Sequence, residues 1–272
     1  MDIYQTVEQF FSTVQTEKAI IGKSVLGRNL YAVKIGDGSP VGIAQYAMHG
    51  REYITARLAL EHYRIGVKKG SFWLIPLVNP DGALLSELGL DSVKREKDKA
   101  RLLELNKSRD FSLWKANARG VDLNVNFAAR WGKGAKNLRT AGAENYIGER
   151  PFSEPETRAL KAFTEYIRPD YTVSYHTKGE EIYWYFYQSM RVCARDKALA
   201  LALSRSTGYP LCMAKNSVGG YKDWCIQRLG IPAFTIEAGK DEYPHPLGEE
   251  ALLDINEKNG YALYDLSGAY QG

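Results

Sequence analysis

The tetrapeptide His49-Gly50-Arg51-Glu52 presents an imidazole and a carboxylate three residues apart, so both can face one side of a first helical turn. Zinc accepts both donor types, and a catalytic zinc keeps three protein ligands plus one open position. The chain has four histidines, which leaves His62, His176 and His245 as sources of a third ligand. His62 falls inside the helix expected after the tetrapeptide, out of reach from the strand end. His245 is flanked by Pro244 and Pro246 in an expected surface loop, and His176 ends an apolar strand. His176 is therefore the candidate. A zinc ion in such a site lowers the pKa of a water toward neutrality and polarises a carbonyl. A neighbouring carboxylate can then take the proton from that water and return it to a leaving amine. Glu237 follows Phe234-Thr235-Ile236 and has the strand-edge position for that work.

These residues need elements to hold them. Apolar spacing predicts an opening helix over residues 7–16. Two short strands over 20–26 and 30–35 follow, joined at Gly27-Arg28-Asn29. A strand over 41–48 runs into His49, a helix covers 54–67, and a strand over 71–78 ends at a turn, Asn79-Pro80-Asp81-Gly82. Charged helical sequence fills the middle, and 121–123 forms a short strand. Ser153 with Glu156 forms a capping box that opens the next helix. Strands over 171–175 and 233–237 alternate with helices over 192–207 and 221–229, and a last helix covers 248–266. This alternation implies one α/β domain over residues 1–272: a three-layer α/β/α arrangement with a mixed, mostly parallel central sheet. Sites in such sheets form at the carboxyl edge, where His49, His176 and Glu237 all fall.

Composition excludes several other classes. The 272 residues are 44% hydrophobic and 25% charged, which argues for a packed core over disorder. Three cysteines with no Cys-x-x-Cys spacing support neither a disulfide framework nor a cysteine-rich zinc module. There is no apolar run of membrane-spanning length and no secretory signal pattern, so the expectation is a cytoplasmic protein that does not engage a membrane. The net charge is +4, and the basic stretch over 94–119 is interspersed with Glu96, Asp98, Glu104 and Asp110, so nucleic acid is not the expected partner.

Five motifs in order resemble the zinc carboxypeptidase (funnelin) family: His49-x-x-Glu52, Asn79-Pro80-Asp81-Gly82, Gly120-Val121-Asp122-Leu123-Asn124, His176 and Thr235-Ile236-Glu237. The resemblance runs from about His49 to Gly239. It implies one Zn²⁺ per chain held by His49, Glu52 and His176, with Glu237 as general base. It also implies an arginine beside the scissile carbonyl nine positions before Asn124, where this chain has Lys115 instead. Lys115 could stabilise the oxyanion as a point charge, or Arg119 could supply a guanidinium from a shifted loop.

Departures from the family narrow the substrate. Carboxypeptidases that trim free C-termini resemble one another in an Asn-Arg clamp on the terminal carboxylate; Asn124 keeps the first member, but Val125 replaces the second. Lys215 stands at the place of the family's active-site tyrosine, Lys178 two residues after the histidine ligand, and Lys222 at the specificity-pocket position beside Tyr221. Asn124, Arg119, Lys178, Lys215, Tyr221 and Lys222 are thus the candidate substrate-binding residues, suited to a carboxylate-rich peptide. The segments 114–120, 120–131 and 176–179 are similar to the bacterial branch that cleaves γ-D-glutamyl–meso-diaminopimelate bonds. That resemblance implies peptidoglycan stem peptides or muropeptide fragments as partners, met during recycling or sporulation. The rival readings are a conventional metallocarboxypeptidase, an amino-acid deacylase on the same scaffold, and a non-enzymatic peptide-binding module. The aromatic run over 183–187 reads either as a groove wall or as a buried strand.

Overall fold

The computed structural model describes residues 1–213 and 217–270. Its centre is an eight-stranded sheet built from β1 (Lys18–Lys23), β2 (Asn29–Gly36), β3 (Val41–Tyr46), β4 (Ser71–Ile75), β5 (Tyr171–His176), β6 (Glu181–Tyr183), β7 (Leu211–Cys212) and β8 (Ala233–Glu237). The strand order is β1-β2-β4-β3-β5-β8-β6-β7. The interior pairs β4/β3, β3/β5 and β5/β8 are parallel, as is β6/β7, whereas β1/β2, β2/β4 and β6/β8 are antiparallel. The expected mixed, mostly parallel sheet is what forms.

Alternation along the strands makes the two outer layers. Ala44, Tyr46, Val173, Tyr175, Phe234 and Ile236 point to one face, where they pack with Leu58 of α2 (Thr55–Ile65), Leu203 of α6 (Met190–Thr207), Ile255 of α8 (Glu249–Asn259) and Leu263 of α9 (Ala262–Ala269). Ile43, Trp73, Ile75 and Ala233 point to the other, toward Leu160 and Phe163 of α5 (Pro155–Ile167) and the α7 turn (Tyr221–Trp224). Both faces of the central strands are covered, as parallel sheets require.

The remaining helices are α1 (Ile3–Thr13), α3 (Pro80–Leu88) and α4 (Glu96–Asn106). Asp2 caps α1 in a reciprocal box with Gln5, which starts that helix earlier than apolar spacing implies. Four sequence expectations are corrected. Asn79-Pro80-Asp81-Gly82 is the start of α3, not a free turn: Asn79 Oδ1 accepts the Gly82 N–H at 2.9 Å and Pro80 occupies the first turn. Residues 121–123 pair with no strand; Leu123–Val125 is a 3₁₀ turn, with the Asp122 side chain accepting the Asn124 N–H. Glu154, not Ser153, takes the N-cap position of α5, because Pro155 begins the helix and the Ser153 hydroxyl bonds the Glu154 carboxylate instead. The expected last helix is two, α8 and α9, with Gly260 between them.

Gly50 requires its lack of a side chain: a Cβ there would lie 2.4 Å from the Gly82 carbonyl and 2.7 Å from that of Trp114. The turn carrying Arg51 and Glu52 is therefore pressed against the start of α3 and the loop ahead of Lys115.

Candidate metal centre and active site

Three strand ends carry the site. The chain leaves β3 through Ala47 and Met48, and His49 takes the N-cap position of the 3₁₀ turn Gly50–Glu52. Backbone bonds pin that turn: Gly50 N–H to Lys115 O at 3.0 Å and Arg51 N–H to Trp114 O at 2.9 Å. Thr55 closes it from behind, donating to Glu52 O while accepting the Ala47 N–H, both at 2.9 Å. His176 is the last residue of β5 and Glu237 the last of β8, and the two are direct cross-strand partners. Glu181 of β6 is the next partner of Glu237 on its other side.

The imidazoles and the carboxylate converge. His49 Nδ1 lies 2.8 Å from Glu52 Oε1, His176 Nδ1 lies 2.9 Å from Glu52 Oε2, and the two Nδ1 atoms are 3.1 Å apart. All three side chains are buried. Two ring nitrogens and a carboxylate oxygen at one point are a fitting donor set for zinc, whose ligand bonds of about 2.0–2.1 Å put tetrahedral donors roughly 3.3 Å apart. Among the described residues these three form the one group of His, Cys, Asp and Glu whose donor atoms could hold a metal ion. Burial opposes charge on Glu52, but the two imidazoles outweigh it and hold its carboxyl well below the usual range. Burial likewise opposes charge on His49, and Glu52 and Asp122 overcome it and raise its pKa.

Asp122 holds the far side of His49 and was not singled out by residue type or spacing. Its Oδ1 faces His49 Nε2 at 3.3 Å, within ion-pair range though off hydrogen-bond geometry, and its Oδ2 forms an ion pair with Lys115 Nζ at 2.8 Å. Burial would raise the Asp122 pKa, yet Lys115 and His49 pull it well below the usual value. Lys115 gains in return: burial works against its charge, and Asp122 more than restores it. The only sign of Asp122 in the sequence was its place inside the Gly-Val-Asp-Leu-Asn segment.

Glu237 is pushed up to about 7 chiefly by burial; His176 tempers that rise and Glu52 adds to it. It opens onto a cavity of about 410 Å³ lined also by Asn124, Tyr183, Ser217, Lys222, Asp223 and Thr235. A second cavity of about 700 Å³ is lined by His49, Arg51, Lys115, Asp122, Asn124, Val125 and Lys136, among others. Asn124 and Ser217 belong to both.

The candidate substrate-binding residues divide. Asn124 borders both cavities, and its Oδ1 accepts the Tyr221 N–H at 3.2 Å. Lys222 lines the Glu237 cavity, donating to Asp223 Oδ1 at 2.6 Å and to Tyr185 O at 3.2 Å. Lys178 donates to the Asp241 carbonyl. Arg119 reaches Glu154 at 3.6 Å and lines neither cavity, so of the two oxyanion candidates it is Lys115 that stands beside the metal-ligand cluster. Tyr221 is a correction: its ring is fully buried among Phe127 and Trp224, with its hydroxyl 2.9 Å from Thr164 Oγ1, so it is a core residue that no substrate can touch. Lys215 lies outside the described residues. His245 sits in a loop as expected but is half-buried, and burial lowers its pKa to about 4. Of the aromatic run, only Tyr183 is in a strand; Trp184 and Phe186 are buried and Tyr187 is exposed.

Comparisons with known proteins agree with this architecture. The zinc carboxypeptidase family model matches residues 4–261. A γ-D-glutamyl-L-diamino acid endopeptidase from Lysinibacillus sphaericus is 34% identical over 84% of this chain, which spans 62% of that protein's length. Murein peptide amidase A from Escherichia coli is 45% identical over 45% of this chain and half of its own length. The structure of bovine thrombin-activatable fibrinolysis inhibitor superposes with a TM-score of 0.74 at 20% identity, covering 98% of this chain and 96% of that one. With the match running through nearly the whole chain and the histidine–glutamate–histidine cluster at its sheet edge, this protein belongs to the zinc carboxypeptidase family.

Proposed function

We propose that the protein is a zinc-dependent peptidase that hydrolyses the γ-D-glutamyl–diaminopimelate amide of peptidoglycan stem peptides, with one Zn²⁺ held by His49, Glu52 and His176. The observation that carries this reading is the meeting of the buried His49–Glu52–His176 cluster with Glu237 where β3, β5 and β8 end, beside a cavity lined by Arg51, Lys115 and Lys136 and another that holds Lys222. The names of the Lysinibacillus and Escherichia relatives support the substrate class.

When bound, the ion supplies Lewis acidity, polarising the scissile carbonyl and acidifying a water. Glu237 takes the proton of that water and hands it to the departing amine. Lys115 stands where negative charge grows on the carbonyl oxygen, held charged by Asp122. Asp122 also orients the His49 ring from its outer nitrogen. Asn124 and Lys222 face the substrate, and Lys178 and Lys215 are the remaining candidates for its carboxylates. A conventional carboxypeptidase needs a clamp on a free C-terminus, and Val125, which lines the larger cavity, has no hydrogen-bonding group to provide one.

The test is turnover of tripeptide, tetrapeptide and pentapeptide stems by the zinc-loaded protein, with products identified by mass spectrometry before and after chelation. The expected result is cleavage between D-glutamate and diaminopimelate, abolished by chelator and restored by zinc. Release of the terminal residue alone would establish ordinary carboxypeptidase action instead, and no turnover of any stem would reject the reading.

A further inference from the structure

The rim of the larger cavity carries charge that the site itself does not use. Between Asp122 and Glu144 the chain has no acidic residue and four cations, Arg130, Lys133, Lys136 and Arg139. All four are exposed. On other surfaces cations are paired locally, Arg95 with Asp98, Lys99 with Glu96, Lys161 with Glu165 and Lys258 with Glu180. Among the described residues none of the four rim cations has such a partner, and Glu144, the next acid in the chain, faces Arg51 instead. Arg228 adds a fifth exposed charge, its Nε 3.4 Å from the Ala128 carbonyl.

The segment holds these charges in place. The Lys133 N–H donates to Arg130 O at 3.1 Å and the Asn137 N–H to Gly134 O at 3.2 Å, which makes two consecutive turns. The Leu138 N–H donates to Asn145 O at 2.9 Å and Trp131 Nε1 to Ile147 O at 3.0 Å, tying the segment to the chain behind it. The Arg130 guanidinium lies 4.2 Å from the centre of the Tyr187 ring, and that of Arg139 lies 5.1 Å from the Trp131 ring. Stacking fixes a planar guanidinium and leaves its N–H edges free for an anion. Gly132 makes the room, since a Cβ there would lie 2.7 Å from Arg139 Nη2. Unpaired like charges held together repel one another, and a partner with several negative charges relieves that cost. The inner side of the same segment, Ala135, Lys136 and Asn137, lines the cavity that holds His49 and Lys115. A chain that docks on the rim is therefore continuous with a chain in the cavity.

We propose that residues 130–139 form a docking surface for further acidic stem peptides outside the cleavage cavity, so that substrates with several linked stems are preferred to single ones. This rests on the peptidase reading above. Each stem carries the free α-carboxylate of its γ-linked glutamate and the carboxylates of its diaminopimelate, so an array of stems repeats the charge that the rim can pair. A neighbouring stem on the rim raises the effective concentration of the stem at the metal site. The contacts are between exposed charges, so salt screens them.

The test uses the zinc-loaded protein and an Arg130→Gln/Lys133→Gln/Arg139→Gln variant; Lys136 is kept because it lines the cavity. The kcat/KM per stem is compared for a single tripeptide stem and for a soluble glycan fragment bearing several such stems, at low and high salt. The intact protein should favour the fragment by at least about tenfold at low salt. That preference should fall to within about twofold at high salt and in the triple variant, with kcat on the single stem unchanged. Arg130→Lys/Arg139→Lys should keep most of it. Equal turnover per stem by the intact protein at low salt would overturn the proposal while the peptidase reading stands, as would a preference that survives in the triple variant. In parallel, binding of a γ-linked polyglutamate chain to the zinc-loaded Glu237→Gln protein is measured by calorimetry, with and without the three substitutions. If neither stem substrate is turned over, the peptidase reading fails and calorimetry decides the surface by itself: binding weakened about tenfold by the substitutions supports it, and unchanged binding overturns it. Binding of phosphatidylglycerol vesicles but not of polyglutamate would assign the surface to a membrane and overturn the proposal. Lys133→Gln, at an exposed side chain in no stack, and the salt dependence of the intact protein keep the test decisive should the triple variant fail to fold.

Discussion

Glu237 combines two demands that burial and its charged neighbours reconcile together. It must be basic enough to accept a proton from water and acidic enough to give it up, and removal from solvent brings its carboxyl to about 7. Glu237→Gln keeps the shape and removes the base. The expected outcome is a loss of at least about 10³-fold in kcat with zinc content unchanged, read by stem-peptide turnover and by metal analysis of the same sample. His62 shows the other use of a buried histidine. Its Nδ1 lies 2.6 Å from the Tyr46 hydroxyl and its Nε2 lies 3.0 Å from the Asn259 carbonyl, an arrangement for a neutral ring. Burial lowers its pKa from 6.5 to about 4. The unfolded chain therefore binds a proton first as pH falls. The contribution of His62 is complete above pH 6.5 and is lost between about 6.5 and 4, amounting to about 3 kcal/mol. Urea unfolding of the metal-free protein at pH 7 and pH 4.5 should show that loss. His62→Gln should flatten it; equal pH dependence in the two proteins would remove His62 as its source.

At the scale of elements, the site depends on how loops between strands are tied together. Asn79 is the clearest tie: its Oδ1 caps α3, and its Nδ2 donates to the carbonyls of Met48 and Ala116 at 3.2 and 3.1 Å. One side chain thus joins the end of the β3 segment, the start of α3 and the loop carrying Lys115 and Asp122. Asn79→Ala should cost about 2–4 kcal/mol, from a lost cap and two buried carbonyls left without a donor. Thermal unfolding measures it directly. The motif was legible in the sequence, but as a turn, because Asn, Pro, Asp and Gly are turn formers locally. What made it a helix start was its contact with two distant carbonyls, which local propensity does not encode. The same holds for residues 121–123, which read as a short strand until the Asp122 side chain folds back on the Asn124 N–H.

Across the whole molecule, the metal-ligand cluster joins chain segments separated by more than a hundred residues, so an ion bound there links β3 to β5. Zinc binds the folded site and not the dispersed ligands of the unfolded chain, so it should stabilise the protein by RT ln(1 + [Zn]/Kd), about 4 kcal/mol at a thousandfold excess over Kd. Chelation should lower Tm, and the decrease should disappear in Glu52→Gln, which weakens the site. A Tm indifferent to chelator in the intact protein would contradict a resident ion at this position.

The residues alone determined the alternation of strands and helices and the placing of His49, His176 and Glu237 at carboxyl edges of the sheet. Those features follow from apolar periodicity and chain order, both of which are local. Tertiary structure alone decided which charges are available. Lys115 and Lys222 look equally free in the sequence, yet each is paired, with Asp122 and Asp223. Tyr221 beside Lys222 is turned into the core, and Arg119 is drawn to Glu154. Arg51, one residue from a metal-ligand position and unremarkable in the sequence, is among the described residues the cation left with an unpartnered buried N–H. The free energy of a charge depends on its distance to others and on its burial, and neither is fixed until distant segments pack together.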